Sequence, residues 1–265
     1  TFEAPTRFKG AGTAYAAATL PPPDRLIRAA GFNAAVTTTS GSESVVYTCS
    51  PPGTTYTSLA CNLFSHGKKY DCIGVLADWA FDAQNGGPPM HRFTLNGYFN
   101  ADVSDAAAPT ITYPAASVLA PLANGVSVTL GSFSSNAVLY SCSFQLQREL
   151  QPRVALTGAG GHLGFVPRGR APQITITIEE PALQGSPYHA AAGIDPYKLA
   201  EAATVLAFSI QFGSTQYNRW RLGFAQAQVI DARPTVVNGV ACVEIDIAAH
   251  TSTPVAGDDI SIVFD

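Results

Sequence analysis

The sequence predicts a mainly β chain of two tandem domains, each with one short α-helix, and three observations carry that prediction. Runs rich in β-branched and aromatic residues, many alternating with polar ones, recur along the chain as half-buried antiparallel strands do. Only two stretches carry helix signals, and both are about three turns or less, short enough to need a sheet to lie on. The opening stretch TFEAPTRFKGAGTAYAAATLPPPDRLIRAAGF (1–32) has a counterpart in TIEEPALQGSPYHAAAGIDPYKLAEAATVLAF (177–208). Each starts with Thr, an apolar residue and Glu, then passes through Pro, Gly and an Ala-rich link. Each ends in a helix that opens on Pro and hands over to a β-rich segment. A period this long, met twice, reads as a duplicated domain and not a solenoid, whose repeats are far shorter.

In chain order, Thr1-Phe2-Glu3 opens a strand-like element. Pro21, Pro22 and Pro23 then set the first turn of a helix over DRLIRAA, with Gly31 where a helix-ending glycine sits. Strands follow at ESVVYTCS (43–50), SLACNLF (58–64), the block up to LADWAF (76–81), and HRFTLNGYF (91–99). Residues 101–124 have little periodicity and read as the connection, which places the first domain at 1–118 and the second at 119–265. The second domain offers GVSVTLGSF (125–133), AVLYSCSFQLQ (137–147), QITITIEE (173–180) and VLAFSIQF (205–212). LGFAQAQV (222–229), VACVEIDIAA (240–249) and a terminal DDISIVFD (258–265) complete it. Asp195 and Pro196 form an N-cap and first-turn pair for the helix YKLAEAATV (197–205). Turn clusters lie at 50–55, 85–89, 157–161 and 232–239. The second copy has strands upstream of its Thr-x-Glu element and the first, at Thr1, has none. Domain one is therefore expected to be shorter, or to lack its first strands in a chain processed or incomplete at its front.

Composition narrows the classes. Hydrophobic residues at 46% exclude a disordered chain, and 13% charged residues is roughly half the usual share, which suits a surface buried between subunits. A net charge of −4 supplies no basic footprint for wrapping nucleic acid, yet it suits a surface past which DNA slides. No apolar run approaches the ~20 residues of a membrane helix, and no segment reads as a signal peptide. The five cysteines (Cys49, Cys61, Cys72, Cys142, Cys242) are odd in number and hold no CxxC pair. Small apolar residues in strands are expected, in a reducing cytosol, with no disulfide framework and no zinc site.

Few motifs point to chemistry. VALTGAGGHLG (154–164) fits the glycine-rich turn of a dinucleotide site, with Glu179 and Glu180 about 20 residues on. The residues that follow, FVPRGRAPQ, cannot build the helix whose N-terminus must hold the pyrophosphate, so a loop between two strands is expected and no cofactor. His66, His91, His162, His189 and His250 show no metal-ligand spacing. Asp78 and Asp82, four apart, would share one face of a helix, but their segment reads as a solvated strand edge. Arg168 and Arg170 flank a glycine near Arg153, a set able to clamp a phosphate or carboxylate but more often used for salt bridges between subunits. Trp79 and Trp220 fall at comparable places after Gly67/Tyr70 and Gly213/Tyr217, as shared core or interface packing does. No catalytic, cofactor or metal residue is assigned.

KGAGTA (9–14), PDRLIRAAGF (23–32), VVYTCS (45–50), the block FSHGKKYDCIGVLADWAFDAQNGGPPMHRFTLNGYF (64–99) and DDISIVF (258–264) together resemble the major tail tube proteins of long-tailed, siphovirus-type bacteriophages. The motifs are loose, and their order and spacing along most of the chain carry the resemblance. It implies tail-tube-like β-sandwich or barrel domains, stacked in rings around a channel. Two such domains per chain imply a homotrimeric ring of pseudo-sixfold symmetry. Implied partners are further copies, the tail terminator, tape measure and distal tail proteins, with DNA passing unbound and no membrane. The implied location is the virion tail, or host cytoplasm during assembly, and the role is structural, not enzymatic. Loops at 51–57 and 150–170 are expected to reach adjacent rings. Family members carry several tens of residues before the Thr-Phe-Glu element, where this chain starts. The alternatives are another virion component, such as a tail terminator or baseplate hub protein, a tandem β-sandwich carbohydrate-binding module using Trp79 and Trp220, and an oxidoreductase using the glycine loop.

Overall fold

The structure is a computed structural model that describes the chain except residues 52–53, 55, 85, 111–119, 123–125, 132, 135–137, 155–161, 181–194 and 254–256. It is mainly β with two short helices, as expected. The first half runs β1 (Phe2–Thr6), α1 (Asp24–Ala29), β2 (Phe32–Thr37), β3 (Ser44–Cys49), β4 (Leu59–Ser65), β5 (Lys68–Gln84) and β6 (Met90–Asp105). The second runs β7 (Ser127–Leu130), β8 (Phe133–Ser134), β9 (Leu139–Gln145), β10 (Glu149–Val154), β11 (His162–Gly169) and β12 (Gln173–Glu179). It continues through α2 (Pro196–Ala202), β13 (Val205–Phe212), β14 (Trp220–Val237), β15 (Val240–His250) and β16 (Ser261–Phe264).

One hydrogen-bonded sheet carries the fold, in the order β1-β6-β5-β9-β12-β15-β14-β13-β7-β8. The terminal strand β16 pairs β14 on one side and β3 on the other, and β3 pairs β2. β14 changes partner along its length: Trp220 to Gly223 face β16, and Gln226 onward faces β15, with a register shift between Val229 and Asp231. The bend lets the two arms of the sheet face each other across an aromatic core. Phe81 meets Trp220 at 5.5 Å and Phe212 at 5.9 Å, Trp79 meets Phe32 at 6.0 Å, and Phe8 meets Phe264 at 5.7 Å. All these rings belong to a single buried cluster that draws on residues before 118 and after 119 alike.

Both halves repeat an order of elements. β1 pairs antiparallel with β6, the second arm of the β5–β6 hairpin, and β12 pairs the same way with β15, the second arm of β14–β15. α1 packs on β5 and α2 on β14. The copies differ after the helix, where β13 pairs β14 directly while β2 pairs β3.

Local chemistry explains the helix ends. Gly31 at φ +94° turns the chain out of α1, its N–H donating to Arg28 O at 2.9 Å, as a left-handed exit requires. Asp195 caps α2 by accepting from Lys198 N at 3.0 Å with Pro196 in the first turn, and left-handed Ala203 ends the helix short of the expected 205. Three other expectations change. The run 125–133 is folded at Gly131 (φ +59°) into the β7–β8 hairpin. The first five residues of the expected connection continue β6 to Asp105, opposite Lys68. Within segment 150–170, expected as a loop, the described residues on either side of 155–161 form the paired strands β10 and β11, outside the main sheet.

His91 sits in the core with no exposed surface, stacked on Phe8 at 3.6 Å between centroids. Its Nδ1 accepts from Trp79 Nε1 at 3.2 Å, and Nε2 has no partner. Burial holds its pKa well below the usual imidazole value. The unfolded chain takes up a proton below about pH 6.5 that the native core refuses, so His91's contribution is intact above that pH and eroded as pH falls. Urea unfolding at pH 7, 6 and 5 should show a loss approaching ~1.4 kcal/mol per pH unit, and His91→Phe should flatten this slope. An unchanged slope in the variant would place the acid sensitivity elsewhere.

A shared core predicts shared unfolding. Trp79→Phe leaves Trp220 as the reporter and Trp220→Phe leaves Trp79. In both variants, fluorescence and far-ultraviolet dichroism should fall together in one transition. Two separated transitions would show that the halves fold apart.

Candidate functional site: a polar sheet face and an arginine-lined cavity

Strand alternation that sends aromatics inward sends another set of side chains out. On β5, Trp79, Phe81 and Ala83 are buried while Asp78, Ala80 and Asp82 face the other way. β9 buries Cys142 and Phe144 and turns out Ser141, Ser143 and Gln145. β12 buries Ile174, Ile176 and Ile178 and turns out Gln173, Thr175 and Glu179, with Thr177 between. β15 buries Val243, Ile245 and Ile247 and turns out Glu244 and Asp246. Because these strands adjoin, the outer side is continuous from Glu3 on β1 and Thr94 on β6 to Asp231 and Arg233 on β14.

The face is knit by cross-strand contacts. Ser143 Oγ donates to Asp82 Oδ1 at 2.8 Å, Thr175 Oγ1 to Asp246 Oδ1 at 2.6 Å, and Ser141 Oγ to Thr177 Oγ1 at 3.2 Å. Arg92 pairs with Asp82, and Arg233 with Asp246, Glu244 and Asp231. Each of these two arginines is therefore matched by a carboxylate, and Glu3, Glu179 and Asp78 tip the balance acidic. No aromatic ring stands on it between 78 and 84, 90 and 96, 141 and 147, or 244 and 248.

A second feature lies at the root of the β10–β11 hairpin. A cavity of about 600 Å³ is lined by Gly31, Tyr56, Arg148, Phe165 to Arg170, Thr251 and Asp259, among others. Arg148, just before β10, is 8% exposed; its Nη1 donates to Ala29 O at 2.8 Å and Ala77 O at 3.2 Å, and Nη2 has no partner. Burial lowers its pKa from the usual guanidinium value. The Tyr56 ring lies 4.9 Å from Arg148 Cζ, and a Cβ at Gly31 would come within 3.0 Å of the same atom. Arg170, just after β11, grips buried Asp259 with two bonds of 2.6 and 2.7 Å and reaches Ser50 O at 3.1 Å.

Sequence-predicted residues fall as follows. Asp78 and Asp82 lie on a strand, not a helix, and Asp78 Oδ1 accepts the backbone N–H groups of Trp79 and Arg148, both at 2.9 Å. Val154 and His162 face each other across the β10–β11 pair, so the glycine run, whose residues 155–161 lie outside the described ones, joins two hairpin arms and no helix follows it. Trp79 and Trp220 are 1% and 0% exposed, which leaves no ring face for a sugar. Arg168 and Arg170 do meet at one cavity, but Arg170 already holds a carboxylate of its own chain, and Arg153 is exposed on β10. His66 and His250 are exposed, and His189 lies outside the described residues. All five cysteines are free, and no cluster among the described residues could hold a metal ion. Sequence reasoning missed Arg148, since QREL reads as a solvated strand end, and missed Asp259 as a buried partner.

No protein-family model matches the chain, and no curated protein matches it in sequence.

The bidentate pair predicts a graded response. Asp259→Asn strands the Arg170 guanidinium in a site where Asp259 is 3% exposed, and should cost about 3 kcal/mol or more of unfolding free energy. Arg170→Lys keeps the charge and loses the fork, and should cost about 1–2 kcal/mol. Equal, negligible losses in urea titrations would show that the pair does not hold the hairpin root.

Proposed function

We propose that this chain is a structural virion protein that self-assembles into stacked homotrimeric rings of pseudo-sixfold symmetry, forming a bacteriophage tail tube that conducts DNA. The observation that carries the reading is the polar outer face of the sheet. A wall past which a polyanion must move has to avoid two kinds of hold. Unpaired Lys or Arg would exchange counterions with phosphates, and exposed aromatics would stack on bases. Over 78–84, 90–96, 141–147 and 244–248 the face carries no outward aromatic ring, its Arg92 and Arg233 are matched by carboxylates, its net balance is acidic, and hydroxyls and amides fill the rest. Such a surface performs no turnover, and its mechanism is mechanical passage.

Two further observations support the reading. The repeated strand, helix and long-hairpin order gives each copy two related units, so three copies can close a ring that six single units would otherwise need. The sheet order ends at β1, whose outer edge has no partner among the described residues, and pairing across copies would satisfy it. Tail terminator, tape measure and distal tail proteins are the partners this role entails, in the virion tail or in host cytoplasm during assembly.

Negative-stain electron microscopy of the purified chain at high concentration, with light scattering alongside, tests the proposal. Threefold rings or stacked tubes are expected, with no retention of duplex DNA at physiological salt. A monomer at every concentration would sink the reading.

A further inference from the structure

We propose that the cavity at the root of the β10–β11 hairpin is a binding site for a carboxylate carried on a short apolar stem, with buried Arg148 as its counter-charge. This inference stands on the cavity alone and does not depend on the tube reading.

Arg148 carries a charge that no carboxylate matches. Guanidinium keeps its proton in any protein setting, so burial cannot neutralise Arg148 as it would a lysine. Buried cations are normally paired, because desolvation without a partner is expensive. Around Arg148 every candidate partner is engaged or neutral. Asp259 is held by both prongs of Arg170. Asp78 accepts the backbone N–H of Arg148 and leaves the guanidinium alone. Burial pushes the Cys49 thiol well up, so it stays protonated and contributes no charge. Two backbone carbonyls and the face of Tyr56 remain, and Nη2 is left without an acceptor.

The walls specify the rest of the ligand. Phe165, Val166 and Pro167 give the cavity an apolar side, while exposed Arg168 adds a second cation. A carboxylate needs one or two donors and tolerates an apolar neighbour, whereas a free phosphate demands donors on every side. Gly31 keeps the guanidinium plane uncovered, since any Cβ there would press on Arg148 Cζ at 3.0 Å and Nη2 at 3.1 Å. Two sources present this chemistry: a free small-molecule carboxylate, or an Asp or Glu side chain of a second copy.

Propionate is the probe. Titrated into the chain at constant ionic strength, with sodium chloride as control, it should saturably shift the amide resonances of Gly31, Gly169 and Arg170 and the Arg148 Nε–H. A ligand this small should bind with a Kd on the order of 1–10 mM. Arg168→Gln, at an exposed residue with no hydrogen bond or ion pair among the described residues, should keep the fold and weaken binding roughly tenfold. Arg148→Gln is not needed, so a folding defect there does not blunt the test. Dissociation of self-associated protein by propionate but not chloride would identify a second copy as the source. Binding with unchanged oligomeric state would identify a free ligand. Resonances that stay put to about 100 mM propionate, or that respond equally to chloride, overturn the proposal. A chain that binds propionate yet never assembles would sink the tube reading and leave this site standing.

Discussion

The rest of the structure depends on the packing of Trp79, Phe81 and Trp220 between the two arms of one bent sheet. Phe81 lies on a first-half strand, yet it stacks on Phe144 at 5.4 Å and meets Trp220 edge-on, both from the second half. Protein interiors are packed as densely as organic crystals, so neither half can adjust its rings without the other. Each buried aromatic contributes about 2–3 kcal/mol by removal from water, and favourable ring geometry adds ~0.5–1.5 kcal/mol per pair. Those gains also fix register, because a one-residue slip of β5 would turn Trp79 to solvent and Asp78 and Asp82 into the core.

That constraint makes the outer face what it is. With period-2 alternation, the strands that commit isoleucines and phenylalanines inward have no freedom left in where Ser143, Thr175, Glu244 and Asp246 point. The in-register pairs Asp82–Ser143, Thr175–Asp246 and Arg233–Glu244 then follow from strand order alone. A face whose arginines are matched and whose balance is acidic is thus a consequence of core register, and any role it plays is tied to the stability of the fold.

Much of this was legible in the sequence, because it is written locally. Alternation marked β9, β12, β13 and β15; Asp195-Pro196 and Gly31 marked helix ends; the fate of VALTGAGGHLG was set by the prolines after it. What was not legible is pairing at a distance. Nothing near Ser143 says that Asp82 lies opposite, and nothing near the C-terminus says that β16 inserts between β14 and β3. The run 125–133 reads as one strand, and the positive φ of Gly131 turns it into a hairpin instead. Arg148 carried no signal at all, since burial of a lone arginine is decided by what folds over it.

The hairpin shows how a chain so poor in charge spends the few it has. β10 and β11 share no ladder with the main sheet, so hydrogen bonding alone does not set their position. Their two roots are fixed instead by arginines reaching into the first half of the chain. Arg148 ties the β10 root to the end of α1 at Ala29 and to β5 at Ala77, while Arg170 ties the β11 root to Ser50 and to Asp259 ahead of β16. The two anchors are unequal. Arg170 is matched by a carboxylate, which offsets its desolvation, whereas Arg148 holds only carbonyl oxygens, which bring partial charge and no anion. A rigid attachment would be served equally well by two matched pairs. The unmatched one sits on the wall of the cavity of about 600 Å³ at the hairpin root, where an anion from outside can complete it. Placement of the hairpin and occupancy of the cavity therefore act through the same side chain.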